Sequence, residues 1–392
     1  MKHEPASAHE LNQSGMAALR AGDAAAAVAA FSRATAGDPA AGALWRNLAH
    51  AHRLAGDDAA ERGALEHALS LDRTDFIAQL RMAQLLQRVG EETEALRAWS
   101  GVHQLASALP WHSPELAGEL AAGAAYCDAL RARLAAAADA ALAQSGEREE
   151  TADRRIRAFV DHALGRRQVY ANQCAGAYYP FLPADEYFDR KHFPWLAELE
   201  AGTELIRAEL AALLADPGDA LRPYVRLDPG TPENTWSALD GSLDWAACFL
   251  WEYGVPNPAV IERCPSTAAL LESLPLARIP GRAPNAFFSM LRPRSRIPPH
   301  TGVTNTRAII HLALDVPPVC GFRVGGETRE WVEGEAFAFD DTIEHEAWND
   351  SDRRRAVLIL DAWNPHLSEA EQAGIVRYFA AADAALAGSM LR

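Results

Sequence analysis

Gly22, Gly56 and Gly90 stand 34 residues apart twice over, and each closes an Ala/Leu-rich segment that reads as a helix. A 34-residue period is the signature of the tetratricopeptide repeat, a helix pair that cannot bury its apolar face alone and stacks on its neighbours. In the first copy Leu11, Gly15, Ala18, Ala27, Phe31, Ala34 and Pro39 supply the bulky, small, aromatic and chain-breaking residues the repeat needs. Trp45, Leu48, Ala49, Leu65 and Ala68 do so in the second, and Met82, Ala83, Ala95 and Trp99 in a degraded third. Small residues let the two helices cross closely while one large side chain fills the gap. Three repeats need capping neighbours, and the Ala-rich stretch from Pro114 to Gln144 has the helical character of a cap or connecting helix. The charged stretch from Gly146 to Ala158 (GEREETADRRIRA) reads as the transition. The expected division is therefore a helical domain over 8–145 and a second domain over 146–392.

Beyond the transition, tryptophans, prolines and short alternating runs replace the alanine helices, with a helix expected over Leu196 to Leu214. From Ala286 onward the pattern is all-β. The β-prone runs are Ala286 to Leu291, Ala308 to Leu314, Gly321 to Val324, Thr328 to Trp331, Ala336 to Asp340, Glu344 to Asn349 and Ala356 to Asp361. Strands every 8 to 12 residues, in a β-core of about 286–365, predict a jelly-roll-like barrel. The fold class is thus α+β with two domains. Composition agrees: 392 residues suit two or three domains, and 49% hydrophobic residues suffice for packed cores.

A formal charge of −16 argues against a nucleic-acid surface. No 18-residue uncharged apolar run predicts a membrane span, and MKHEPASAHE at the N-terminus lacks a signal-peptide core. The chain reads as cytoplasmic. Five scattered cysteines (Cys127, Cys174, Cys248, Cys264, Cys320), never in CxxC spacing, make neither a disulfide framework nor a structural zinc site.

The β-segment is rich in metal-ligand residues: His300, His311 and His345, with Arg355 ten residues after the last. His9, His50, His52, His67, His103 and His112 lie in or beside the repeats and are assigned no role. His300 and His345 sit at expected strand edges, where a β-barrel mouth brings two ligands together, and two neutral imidazoles with open positions suit Fe(II). A non-haem iron site normally adds a carboxylate in an H-x-D/E pattern, but here the sequence is His300-Thr301-Gly302. Asp340 and Asp341 lie close enough to offer one; a turn role, or that of an outer hydrogen-bond acceptor, is expected instead.

The segments HTGVTNTRAIIHLAL and WVEGEAFAFDDTIEHEAWNDSDRRRAVLILDAWNP resemble the aspartyl/asparaginyl β-hydroxylase family of Fe(II)/2-oxoglutarate oxygenases. The resemblance reaches upstream through YYPFLPADEYF, the FPW around Trp195 and CPSTAALLESLP, covering about residues 165 to 370. That family lacks the acidic ligand, so Gly302 fits it, and its members can carry tetratricopeptide helices ahead of the catalytic domain. The resemblance implies a double-stranded β-helix (jelly-roll, cupin-like) catalytic domain. His300 and His345 match the iron ligands, and Arg355 matches the arginine that pairs with the far carboxylate of 2-oxoglutarate. Ser289 and His311 match further groups on that co-substrate. The implied cofactors are Fe(II), 2-oxoglutarate and O2: the co-substrate is cleaved to succinate and carbon dioxide while a hydroxyl is placed on a substrate carbon. A water or exogenous anion fills the vacated ligand place; chloride there would make a halogenase, which the hydroxylase-like context disfavours.

On the substrate side the animal enzymes have two arginines, of which Arg307 matches the first while Ile309 replaces the second. The substrate anion is therefore expected to meet fewer charges. The leading reading is hydroxylation of the β-carbon of an Asp/Asn-like residue in a protein, peptide or carrier-bound amino acid, with the repeats holding the substrate protein. The alternatives are an adaptor with an inactive oxygenase-like domain, and a hydroxylase of a lipid or small molecule.

Overall fold

Each glycine of the period turns the chain at a helix end. Gly56 and Gly90 adopt φ of 76° and 81°, a left-handed conformation that costs glycine little and a side chain more. In this computed structural model, residues 6–108, 113–143 and 150–389 are described. His112, residues 1–5 and residues 146–149 of the charged transition lie outside them.

The chain divides into two compact units, Met1–Arg148 and Glu149–Arg392. The first contains three helix pairs: α1 (Ala8–Arg20) with α2 (Ala24–Gly37), α3 (Gly42–Ala55) with α4 (Asp58–Leu71), and α5 (Phe76–Val89) with α6 (Glu92–Ser107). Asp23, Asp57 and Asp75 cap α2, α4 and α5 by accepting a hydrogen bond from the backbone N–H three residues on. The close crossing is explicit at Gly15, where a Cβ would stand 2.6 Å from the Phe31 ring. Trp99, the equivalent of Phe31 in the third repeat, packs instead against Gly123 of α7 (Pro114–Ala143), where any Cβ would collide with the indole. The Ala-rich helix thus caps the third repeat, closing a core with Leu120 and Cys127. The unit is a tetratricopeptide-like helical array.

The second unit opens with α8 (Glu150–Ala163), which takes up the rest of the charged transition. The single helix expected over 196–214 is two, α9 (Leu196–Ala201) and α10 (Thr203–Ala215), broken at Gly202. There α12 approaches so closely that a Cβ would strike Leu270. Short helices α11 (Pro258–Ile261) and α12 (Pro265–Ser273) and a final α13 (Glu369–Ser389) complete the helices.

The strands are β1 (Arg222–Pro223), β2 (Trp245–Glu252), β3 (Val255–Pro256), β4 (Ala286–Leu291), β5 (Ser295–His300), β6 (Arg307–Asp315), β7 (Cys320–Val324), β8 (Glu327–Arg329), β9 (Ala336–Phe339), β10 (His345–Asn349) and β11 (Arg355–Trp363). One antiparallel sheet has the order β1-β2-β4-β11-β6-β9, with β3 paired to β2; the other runs β5-β10-β7-β8. The sheet therefore begins well before residue 286. β2 (WAACFLWE) escaped the strand pattern because it is buried up to its last residue and shows no alternation. One face of the larger sheet meets α9, α10 and α12 through Leu199, Ile206 and Leu271, and the other meets the smaller sheet through Phe287, Phe322 and Ala347. β5 was missed for a different reason: Pro298 and Pro299 read as a breaker, yet an edge strand tolerates them. No helix among the described residues is long and apolar enough to cross a membrane.

Candidate functional site

The register of β5 against β10 puts His300 directly opposite His345, and their ring centroids are 4.0 Å apart. One device orients both rings. Nδ1 of His300 lies 2.8 Å from the Pro298 carbonyl, and Nδ1 of His345 lies 3.0 Å from the Ile343 carbonyl. A carbonyl oxygen only accepts, so each Nδ1 carries the proton and each Nε2 keeps its lone pair. Burial lowers the pKa of both imidazoles, His345 strongly, with His300 adding to the effect. Two neutral imidazoles with fixed tautomers are a donor set for a divalent transition metal.

Beside them, the Gly302 N–H donates to the Asp341 carbonyl at 2.6 Å, and a Cβ on Gly302 would collide with the Asp341 carboxylate. Glycine at 302 thus leaves room for that carboxylate in the cavity that the histidine pair also lines. Asp341 is pushed up to about 7 by burial, and its Oδ1 has no partner. Asp340 serves the turn instead, accepting from the Thr342 N–H and hydroxyl at 3.0 and 2.6 Å.

Arg355, at the start of β11, is 1% exposed. Its Nη1 donates to Ser289 Oγ at 3.4 Å, and its guanidinium lies 4.9 Å from the Trp331 ring centroid. Its Nε is buried without a partner, and no carboxylate among the described residues pairs with it. Burial drags the group down to about 10. A buried cation without a counter-ion is costly, so this pocket fits an anionic ligand, and a guanidinium fork suits a carboxylate. Ser289 is held by Trp245, whose indole Nε1 donates to its hydroxyl at 3.1 Å. His311 lies among Phe322, Phe337 and Phe339 with Nδ1 unpartnered; burial, then Arg355, hold it well below the ordinary imidazole range.

Ser289, His300, Arg307, His311, His345 and Arg355, all singled out in the sequence, line one cavity of about 360 Å³. Three orphaned buried polar atoms, on His311, Asp341 and Arg355, line it too. Such atoms are normally hydrogen-bonded, so their convergence marks space for a polar ligand. Sequence reasoning missed Trp245 and Asp361. Arg307 Nη1 donates to Asp361 Oδ2 at 2.5 Å, and the same oxygen accepts from the Asn285 N–H and Nδ2, both at 2.9 Å. Asp361 was legible only as a lone acid ending the apolar run VLIL.

Paired imidazoles near a buried, unpaired arginine, between two antiparallel sheets, define a pocket that can hold a metal and a carboxylate together. Residues 200–365 match the family model described as aspartyl/asparaginyl beta-hydroxylase. The chain is 34% identical over 180 residues to the human aspartyl/asparaginyl beta-hydroxylase, a match that covers 45% of this chain and 23% of that protein. It is 36% identical over 186 residues to the ornithine lipid ester-linked acyl 2-hydroxylase of Rhizobium tropici (47% of this chain, 62% of that protein). It is 32% identical over 207 residues to human aspartate beta-hydroxylase domain-containing protein 2 (51% and 53%). The chain thus spans less than two thirds of the length of each. Similar solved structures include the first TPR domain of human RPAP3, with 20% identity, 31% of this chain, 93% of that chain and a TM-score of 0.28.

Proposed function

We propose that the second unit is an Fe(II)/2-oxoglutarate-dependent dioxygenase with a double-stranded β-helix core, hydroxylating an unactivated carbon. The observation that carries this reading is the buried, unpaired guanidinium of Arg355 in the cavity that also holds the oriented histidine pair. In this reading His300 and His345 ligate the metal through Nε2, and Arg355 and Ser289 hold the distal carboxylate of 2-oxoglutarate. His311 offers its unpartnered nitrogen to the same co-substrate. Bound iron and 2-oxoglutarate supply the oxidising chemistry with O2, and the protein supplies orientation and a cavity shielded from water. The intact constellation speaks against an inactive adaptor.

The substrate is proposed to be an Asp/Asn-like residue of a protein, peptide or carrier-bound amino acid, acted on at its β-carbon. Within that class Arg307 favours the neutral amide, because Asp361 already balances its charge and the neighbouring lining residue Ile309 adds none. The same two residues favour a second reading, an apolar acyl chain, the class for which the Rhizobium relative is named.

The test is Fe(II)-dependent succinate formation by the full chain, together with mass spectrometry of lysate for products one oxygen heavier. Wild type should give both and His345→Ala neither; succinate formation by His345→Ala at the wild-type rate would refute the assignment.

A further inference from the structure

At one end of the larger sheet β2 and β11 finish while β4 and β6 begin, since Trp251 and Leu360 both pair with Ala286 and Trp363 pairs with Arg307. The cavity of the histidine pair opens there: Tyr253 and Val303 line it and are each more than half exposed. The turn from β2 to β3 also presents Val255, and the segment 176–184 presents Tyr178 and a fully exposed Phe181. That segment lies at the same end. The Gly176 N–H donates to the Val303 carbonyl and the Tyr179 N–H to Asn305 Oδ1, both at 2.8 Å. Leu182 packs on the cluster of Ala283, whose carbonyl a Cβ on Gly254 would meet.

The backbone is strained to hold two of these rings out. Phe181 and Tyr253 adopt φ of 68° and 50°, the left-handed region that bulky side chains avoid. Both turns are fastened. Asn305 Nδ2 donates to the Tyr179 carbonyl and the Tyr179 hydroxyl to Glu371 Oε1, each at 2.9 Å, while the Tyr253 N–H donates to Asn285 Oδ1 at 2.8 Å. Charge is scarce here. In a chain that is 23% charged, residues 176–184 and 301–306 contain no charged side chain, and Glu252, the one in 252–257, pairs with Arg222. Inside the mouth the apolar lining continues: Tyr224 stacks on Trp245 with ring centroids 3.8 Å apart, and Phe249 on Phe287 at 4.7 Å.

We propose that this end of the second unit docks on the surface of an electrically neutral lipid layer, with Tyr178, Phe181, Tyr253, Val255 and Val303 entering it around the cavity mouth. The proposal rests on the acyl-chain reading of the substrate and adds where that chain comes from. A chain leaving such a layer passes from an apolar ring to an apolar lining without crossing water. Burial of exposed apolar side chains drives the adsorption, and tyrosine suits the boundary because its ring is apolar while its hydroxyl stays wet. An anionic layer fits less well, because these turns offer no free cation and the chain carries a formal charge of −16. A protein partner also fits less well. Protein interfaces are rimmed by polar and charged groups, whereas Asn285, Asn305 and Glu252 are occupied within the fold.

The experiment is flotation of the full chain with phosphatidylcholine vesicles, repeated at high salt and with phosphatidylglycerol vesicles. Fluorescence anisotropy with a short labelled leucine-rich peptide is run alongside. Phosphatidylcholine vesicles should float the chain, and salt should not release it. Phe181→Gly removes the ring and relieves the backbone, so the variant should fold yet bind these vesicles about tenfold more weakly. Val255→Ser, on the other turn, should weaken binding severalfold. Val319→Gly is the control: Val319 is likewise exposed, with φ of 62°, but lies between β6 and β7 at the opposite end of β6, and its variant should bind as wild type does. His345→Ala should float as wild type does while forming no succinate, so that failure of docking and failure of the oxygenase reading are seen separately. No flotation of the wild type, undiminished binding by Phe181→Gly, an equal loss in Val319→Gly, stronger binding to phosphatidylglycerol, or tighter binding of the leucine-rich peptide would each overturn the proposal.

Discussion

At the scale of single residues, the site is a set of polar groups left incomplete by the protein itself. Arg355 is buried with no carboxylate partner among the described residues, so its contribution is realised only with a ligand. Arg355→Ala is expected to weaken 2-oxoglutarate binding by about 30-fold to several-thousand-fold, roughly 2 to 5 kcal/mol, with metal affinity unchanged. Calorimetric titration of each ligand checks this, and an unchanged 2-oxoglutarate affinity would place the pocket elsewhere. Gly302 makes the complementary case. A carboxylate introduced by Gly302→Asp must displace Asp341, whose side chain fills that space, and sets two acids side by side. The variant should melt lower by about 1 to 3 kcal/mol in stability and lose turnover even where it still binds metal. Near-normal turnover would show that Asp341 does not need its present place. The histidine pair was legible in the sequence because metal-ligand residues stand at the edges of β-prone runs, and the role of Arg355 was legible through the resemblance to the hydroxylase family. Asp361 was not, since a buried acid is recognisable only once its partners, Arg307 and Asn285, are brought to it by the fold.

At the scale of elements, burial alone did not decide legibility. β4, β6 and β11 are buried almost throughout, yet their β-prone runs between turn residues mark them as strands. β10 adds the alternation of buried and half-buried positions. β2, equally buried, carries no period to distinguish it from a helix segment and lies apart from the run of strands that begins at residue 286. The repeats were easier, because a 34-residue period accumulates evidence over three copies. Their weak point is the seam between α6 and α7. Gly123→Ala would drive a methyl into the Trp99 ring, and overpacking of this kind costs about 1 to 3 kcal/mol. Thermal melting followed by far-UV circular dichroism should show the helical signal lost at lower temperature. Gly118→Ala, five residues earlier on the same helix with open space around it, should leave the melt unchanged or raise it.

At the scale of the molecule, the hydrophobic clusters divide as the chain does: those of Phe31 and Trp99 lie within the first unit, and those around the two sheets lie within the second. A fragment of residues 149–392 should therefore fold and bind metal and 2-oxoglutarate with wild-type affinity. If the repeats recruit substrate, that fragment loses activity on a large protein substrate more than on a short peptide; equal losses would make the repeats structural. The sheets themselves carry a further lesson in how their margins are finished. β1 and β3 are two residues long and each contains a proline, Pro223 and Pro256. β5 has Pro298 and Pro299, and β8 is three residues with a charge at either end, Glu327 and Arg329. Along β9, Phe188 and Asp340 hydrogen bonds knit the strand to the segment around Tyr187. Every border that a neighbouring chain would need in order to add a strand is short, charged, proline-blocked or already taken. A domain with this much β-structure can therefore stand beside other copies of itself at high concentration without recruiting them into a growing sheet.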